Sequence, residues 1–283
     1  MSLVAVLKGG RSLERQVSLK SGARVEHALA RLGHTPLAID VGSDLVERLR
    51  AAEAEVAFVA LHGRDGEDGT VQELLEIVGV PYTGSGVSSC IRCADKVLAK
   101  HTMRDAGIPT PDFYAFNETA FKELGAAQAL PAIEERLEFP IVVKPASQGS
   151  ALGIKFARRA TDVPAALVSA FAYDRKVLLE RHIQGRDLAV SILESADGEP
   201  VALPVVEAVP RDEDFYDFEA RYEIGRTTFV CPADLAGDEA ERAQDLALEV
   251  YRHFGCFGFA RVDLMLADDG AIFVLEVNPI PGL

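Results

Sequence analysis

The residues best suited to chemistry stand near the carboxyl end: Arg261-Val262-Asp263 and, after the turn Asp268-Asp269-Gly270, Glu276-Val277-Asn278. If the two runs pair as a hairpin, the two-residue period of a strand places Arg261 and Asp263 on one face and Glu276 and Asn278 on one face. Asp, Glu and Asn are oxygen ligands, the set that Mg²⁺ takes alongside phosphate oxygens. The alternative is a solvated face of an edge hairpin. The flanking Phe259, Val262, Leu264, Phe273, Leu275 and Val277 instead predict a buried sheet, where charge persists only when paired or metal-bound.

A second pattern is Lys144-Pro145-Ala146-Ser147-Gln148-Gly149-Ser150-Ala151-Leu152-Gly153, a cation closing an apolar strand and then a loop of small residues. Such a loop lets backbone N–H groups approach phosphate. It is not a Walker loop, because the Gly-Lys-Ser/Thr ending is absent and Lys144 precedes the loop. Most loops of this composition are simple turns, so alone it decides little. Near the amino end, Gly9-Gly10-Arg11-Ser12 lacks the G-x-G-x-x-G spacing of a dinucleotide fold, which removes the main support for a dehydrogenase.

These groups need elements to hold them. The first third alternates strands and helices: Leu3–Leu7, a helix near Val17–Leu32, Pro36–Ile39, a helix near Leu45–Ala52, and Val56–Ala60. That order predicts a parallel sheet covered on both faces, with ligand-facing loops at its strand ends. Two such loops are Gly9–Ser12 and His62–Gly69. A helical stretch at Asp95–Ala106 leads to Pro109-Thr110-Pro111, a natural joint. The middle third has strands at Ile141–Lys144, Ile154–Phe156 and Val177–Glu180 and a helix near Val163–Ala172. In the last third, strands Leu188–Leu193 and Val201–Val206 precede a polar, aromatic loop at Arg211–Arg226. A helix near Glu239–Phe254 and strands Phe259–Leu266 and Ile272–Val277 follow.

Composition sets outer limits. The 283 residues predict two or three compact units. With 29 basic and 44 acidic residues the net charge is −15, which repels a nucleic-acid backbone, so bound anions must be held by locally placed cations or backbone N–H groups. No apolar run reaches the roughly 18 residues of a membrane span, and Met1–Lys8 is too short for a signal peptide, so a cytoplasmic location is expected. Cys90, Cys93, Cys231 and Cys256 include one C-x-x-C without a second pair or a nearby histidine, so buried free thiols are expected rather than zinc. Asn117-Glu118-Thr119 reads as a helix start rather than a glycosylation site.

Leu7–Ser18, His62–Gly69, Pro81–Gly86, Asp95-Lys96, Val143–Gly153, Arg261–Asp263 and Glu276–Gly282 together resemble the D-alanine–D-alanine ligases, in the family's order and over nearly the whole chain. The resemblance implies an α/β protein, α+β in its carboxyl part. It would have an ATP-grasp fold preceded by a Rossmann-like parallel domain, with units at 1–95, 96–184 and 185–283. ATP would lie between the last two units. It further implies Mg²⁺, with Mn²⁺ as a substitute and two ions in the site, D-alanine as substrate, a homodimer, and supply of dipeptide for peptidoglycan.

By the same resemblance, Lys96 and Lys144 meet the ATP phosphates, with Gly149 and Ser150 of the small-residue loop beside them. Glu180, Arg181 and Ile183 lie on the strand that meets adenine. Asp187 stands where the family usually has a ribose-binding Glu. Asp263, Glu276 and Asn278 match the Mg²⁺ ligands, and Arg261 matches the cation that stabilises a tetrahedral oxyanion. Glu14 matches the acid that receives the first D-alanine's ammonium group, and His62 lines the same pocket. Ser150 and Tyr222 are linked with Glu14 near the second substrate, and Gly282 belongs to the catalytic set. Phe215–Tyr222 resembles a closing lid in which Arg221 replaces a phosphate-binding lysine.

Ala151 replaces a common second serine, and Pro279 a usual threonine. Family members continue past the position of Leu283 through a Ser-Leu segment that helps seat the second substrate, then a helix, so activity is expected to need that tail. Two other readings stay open: a related ATP-grasp ligase that takes a different amine or a hydroxy acid, and a catalytically silent nucleotide-binding relative. Tyr222 favours an amino acid, because depsipeptide-forming relatives tend to carry histidine in the lid.

Overall fold

The computed structural model describes residues 2–210 and 227–283. Three sheets organise them. The first is parallel, order β2-β1-β3, from β1 (Leu3–Lys8), β2 (Thr35–Asp40) and β3 (Val56–Val59), with α1 (Arg15–Arg31) and α2 (Leu45–Ala52) as the crossovers. The four central residues of β1 are all buried, as expected for a parallel strand with both faces covered. Its core joins Leu7, Ile39, Leu49 and Val59 to Leu75 of α3 (Thr70–Val78), and Ile280 from the far end of the chain closes it.

Helices α4 (Val87–Ala94) and α5 (Lys96–Asp105) follow. Asp95 caps α5, its Oδ1 accepting from the N–H groups of Val97 at 2.9 Å and Leu98 at 3.1 Å, which satisfies donors that a helix start leaves unpaired. Cys93, Ala99, Met103 and Ile108 pack into the core of the last sheet. Residues 87–108 therefore sit against strands that lie about 80 or more positions later.

The second sheet is antiparallel, order β4-β7-β5-β6, from β4 (Phe113–Asn117), β5 (Ile141–Pro145), β6 (Lys155–Ala157) and β7 (Lys176–Arg181). The short α6 (Glu118–Lys122), α7 (Leu130–Leu137) and α8 (Val163–Phe171) accompany it. Asn117 does start a helix: its Oδ1 accepts from the Ala120 N–H at 2.7 Å.

The third sheet, also antiparallel, runs β11-β10-β8-β12-β13 with β9 beside β8. Its strands are β8 (Gly185–Glu194), β9 (Pro200–Ala202), β10 (Val206–Pro210), β11 (Thr227–Val230), β12 (Phe259–Ala267) and β13 (Ile272–Asn278). Helix α9 (Glu239–Phe254) lays Ala243, Ala247, Val250 and Phe254 on one face of it, against Val190, Val262 and Val274. Burying each large apolar side chain there contributes about 1.5–3 kcal/mol.

Two expectations are corrected. The single strand expected at Val201–Val206 is two strands, β9 and β10, broken at 203–205; Pro204 has no N–H to give to a ladder. Cys90, Cys93 and Cys256 are buried, but Cys231 is exposed, in a short turn after β11. No helix among the described residues is long and apolar enough to cross a membrane.

Candidate active site

The third sheet's free face and the second sheet enclose a cavity of about 1100 Å³. Lys144 enters it from β5, Glu180 and Arg181 from the end of β7, Ile183 and Asp187 from the following turn and β8, Lys96 from the start of α5, and Arg261, Asp263 and Glu276 from β12 and β13. Val142, Ile154, Phe156, Met265 and Leu275 add apolar wall. A chamber with apolar sides and a few convergent charges is the usual form of a small-molecule site. The apolar wall was not foreseen from the sequence. In the sequence these residues fall on expected strands, Leu275 among the apolar neighbours of the hairpin, and nothing there marks them as facing a cavity.

The hairpin forms in the expected register. Asp263 lies opposite Glu276 and Arg261 opposite Asn278, with a bulge between Asp263 and Leu264. Arg261 holds Asp263 in a fork, Nε to Oδ1 at 2.6 Å and Nη2 to Oδ2 at 2.8 Å, and Asn278 Nδ2 donates to Asp263 Oδ2 at 3.2 Å. Lys96 Nζ lies 3.3 Å from Glu276 Oε2 and donates to the Gln148 carbonyl at 2.8 Å. Lys96 thus joins the small-residue loop to β13.

Two carboxylates in register on adjacent strands, with an amide beside them, fit a hard cation whose remaining ligands are phosphate oxygens. Among the described residues no three Asp, Glu, His or Cys side chains converge on one point. Such a site would need oxygens from its ligand to be complete.

Glu180 corrects a simpler expectation. Its carboxylate is 2% exposed and sits between two lysines: Lys144 donates to Oε1, and Lys100 Nζ lies 2.5 Å from Oε2. Burial alone would raise this carboxyl, but Lys100 and Lys144 outweigh it and hold the group below the usual carboxylate range. Lys100 was missed in the sequence, although it follows Lys96 by four residues on one helix face. Next to this cluster, burial and Lys144 both push His182 down.

Glu14, Ser150, Gly149 and His62 form a second group outside the lining of the main cavity. The Ser150 hydroxyl donates to Glu14 Oε1. Ser150 and Ala151 both hold left-handed backbone, φ 55° and 58°, a strained pairing for residues with side chains. Burial pushes the Glu14 carboxyl up, Glu67 adds to the shift, and the Ser150 hydrogen bond, His62 and Lys96 oppose it. His62 is 3% exposed. Its Nε2 pairs with Ser21 Oγ at 2.9 Å, and its Nδ1 lies 3.1 Å from both Glu67 Oε1 and the Ile280 carbonyl. His62 is thus a strut between the first sheet and the chain after β13. Gly282 lines the main cavity near Ser21, whose Oγ accepts from the Leu283 N–H at 3.1 Å. Tyr222, Arg221 and the expected lid lie outside the described residues.

A parallel sheet set against two antiparallel sheets that close on a lysine-lined chamber is the ATP-grasp architecture. The chain belongs to the D-alanine–D-alanine ligase family: the family model for the "D-ala D-ala ligase C-terminus" matches residues 102–283 and that for the N-terminus matches 43–85. A D-alanine–D-alanine ligase of Syntrophotalea carbinolica is 43% identical over 280 residues, 99% of this chain and 86% of that protein. The crystal structure of the Bacillus anthracis D-alanine–D-alanine ligase complexed with ATP superposes with a TM-score of 0.81 at 31% identity, covering 100% of this chain and 87% of that one. The VanG D-Ala:D-Ser ligase of Enterococcus faecalis also reaches 0.81, at 27% identity over 99% of this chain and 91% of its own.

Proposed function

We propose that this protein joins two molecules of D-alanine to D-alanyl-D-alanine at the expense of ATP, releasing ADP and phosphate, and so supplies the dipeptide for peptidoglycan. The observation that carries this reading is that Lys96 and Lys144 share one cavity with Asp263, Glu276 and Arg261. A carboxylate is a poor electrophile. Its oxygen attacks the terminal phosphorus of ATP, the bond to ADP breaks, and an acyl phosphate results. The amine of the second amino acid, having lost a proton, then attacks the acyl carbon, and phosphate leaves with the bonding pair.

Positioning and charge supply most of the catalysis in phosphoryl transfer. Lys144 and Lys96 hold the phosphates, and Arg261 faces the oxyanion that forms as the amine adds. Glu14, aligned by Ser150, receives the ammonium group of the first D-alanine, while Gly149 lets the loop lie close above it. Glu180, Arg181 and Ile183 frame the adenine and Asp187 the ribose. Asp263, Glu276 and Asn278 would hold Mg²⁺, or Mn²⁺ in its place, as two ions, which offset the negative charge gathered on the phosphates. Tyr222, Arg221 and Gly282 complete the set by family likeness, as do division into units at 1–95, 96–184 and 185–283, a homodimer and a cytoplasmic location.

Phosphate release in the presence of D-alanine, ATP and Mg²⁺ tests the reading, with Glu276→Gln as the comparison. The variant should need more Mg²⁺ and lose about 100-fold or more in turnover, beyond the 10–100-fold typical of ligand-supporting groups. Equal rates would remove Glu276 from the mechanism. Because a D-Ala:D-Ser ligase shares the fold, D-serine and D-lactate belong in the same assay as second substrates. Faster turnover with either than with D-alanine would reassign the second site.

A further inference from the structure

Lys100 is fully enclosed, at 0% exposure, and no step of the proposed reaction uses it. Its ammonium group is held on three sides. It meets Glu180 Oε2 at 2.5 Å and donates to Thr110 Oγ1 at 2.7 Å, and it lies 5.3 Å from the centre of the Phe113 ring. Thr110 passes the chain onward, its hydroxyl donating to the Val274 carbonyl at 2.8 Å, while the Val274 N–H donates to the Pro109 carbonyl at 2.8 Å. A continuous line therefore runs from β7 through Lys100 and the joint at 109–111 to β13, two residues from Glu276.

Charge counting gives this line a purpose. Glu180 is one anion between two cations, and only Lys144 of the two reaches the cavity. With Lys144 as its sole partner, Glu180 would cancel the charge that a phosphate needs. With Lys100 behind it, the carboxylate is already neutralised and the positive charge of Lys144 remains for a ligand. Burial works against a second cation here and brings Lys100 down to about 8, with Glu180 opposing the fall. A simple packing role would be served as well by an apolar side chain of similar volume.

We propose that Lys100 is a positioning residue for the nucleotide: it neutralises Glu180 from behind, leaving Lys144 to the phosphates, and through Thr110 it sets the spacing of β7 and β13 across the cavity. This rests on reading the cavity as a nucleotide site. It makes no contact with the ligand itself.

The test is a double-mutant cycle read by calorimetric ATP binding, with thermal midpoints and the KM for D-alanine measured alongside. Lys100→Met should weaken ATP binding at least tenfold and change the KM for D-alanine less than threefold. Adding Lys100→Met to Glu180→Gln, where no carboxylate remains to be neutralised, should weaken ATP binding at least threefold less than it does in the wild type, the remaining loss coming from the broken Thr110 contact. Equal effects of Lys100→Met in the two backgrounds, or a single variant that binds ATP like the wild type, would overturn the proposal. If Lys100→Met does not fold, Thr110→Val decides, since it keeps every charge and removes only the hydroxyl that joins Lys100 to the Val274 carbonyl of β13. It should weaken ATP binding threefold or more, and unchanged binding would overturn the proposal. Wild-type protein that binds ATP yet forms no dipeptide would end the ligase reading and leave this one standing. Wild-type protein that binds no ATP would end both.

Discussion

The hydroxyl of Ser150 donates a hydrogen bond to the carboxylate of Glu14 across 136 positions of sequence. It brings the small-residue loop of the second sheet onto the first turn before α1. The contact buries an acid that burial pushes up from its ordinary value. The ionised form that the proposed chemistry requires is therefore held at a cost to the fold.

That cost sets a pH dependence. A carboxyl whose folded value is raised favours folding below its unfolded value, 4.5, and loses that contribution as pH rises through the folded value. Glu14→Gln should accordingly raise the thermal midpoint at pH 7 to 8, with the gain fading as the pH is lowered below 4.5. The same variant should lose D-alanine turnover while binding ATP normally. A midpoint difference that stays constant with pH would contradict the assignment.

Gly149 has no space for a side chain. A Cβ there would stand 2.6 Å from Glu14 Oε2 and 2.9 Å from Oε1. Gly149→Ala should displace Glu14 from Ser150 and raise the KM for D-alanine by about 10-fold or more, the equivalent of one hydrogen bond to a charged group. Overpacking should cost about 1–3 kcal/mol of stability by denaturant titration. Steady-state kinetics that match the wild type would show that the contact does not matter for substrate.

The glycine loop after β1 is held differently. Arg15 Nη2 meets Asp40 Oδ2 at 2.5 Å, and a Cβ on Gly9, at φ +77°, would crowd both side chains. Asp40 is held down at about 2 from 3.8, chiefly by the Arg15 hydrogen bond. Its contribution is therefore complete above 3.8 and lost as pH falls through about 2. Since both partners are half exposed, Asp40→Asn should cost no more than about 1 kcal/mol at pH 7. The urea midpoints of variant and wild type should draw together between those pH values, and ATP turnover should be unchanged.

Much of this architecture was legible because local physics dominates it. The alternation in residues 3–59 yields a parallel sheet in any compact solution. The bounds of α2 and α9 follow from apolar spacing, and the period of a strand placed Arg261 with Asp263 and Glu276 with Asn278. The segments 70–78, 87–94 and 113–137 carried weaker signals. Val87–Ala94, for instance, is a helix rich in Ser and Cys whose stability comes from Cys90 and Cys93 being buried rather than from its own propensity.

Residue types and spacing thus determined which groups are able to bind an anion or a metal ion, and on which strands they stand. Only the tertiary structure decided which groups meet across the chain: Lys96 with Glu276, Lys100 behind Glu180, and His62 as a strut to Ile280. Those choices depend on which charges share a low-dielectric interior, and that is settled by packing between segments 80 to 220 residues apart, where no local pattern reaches.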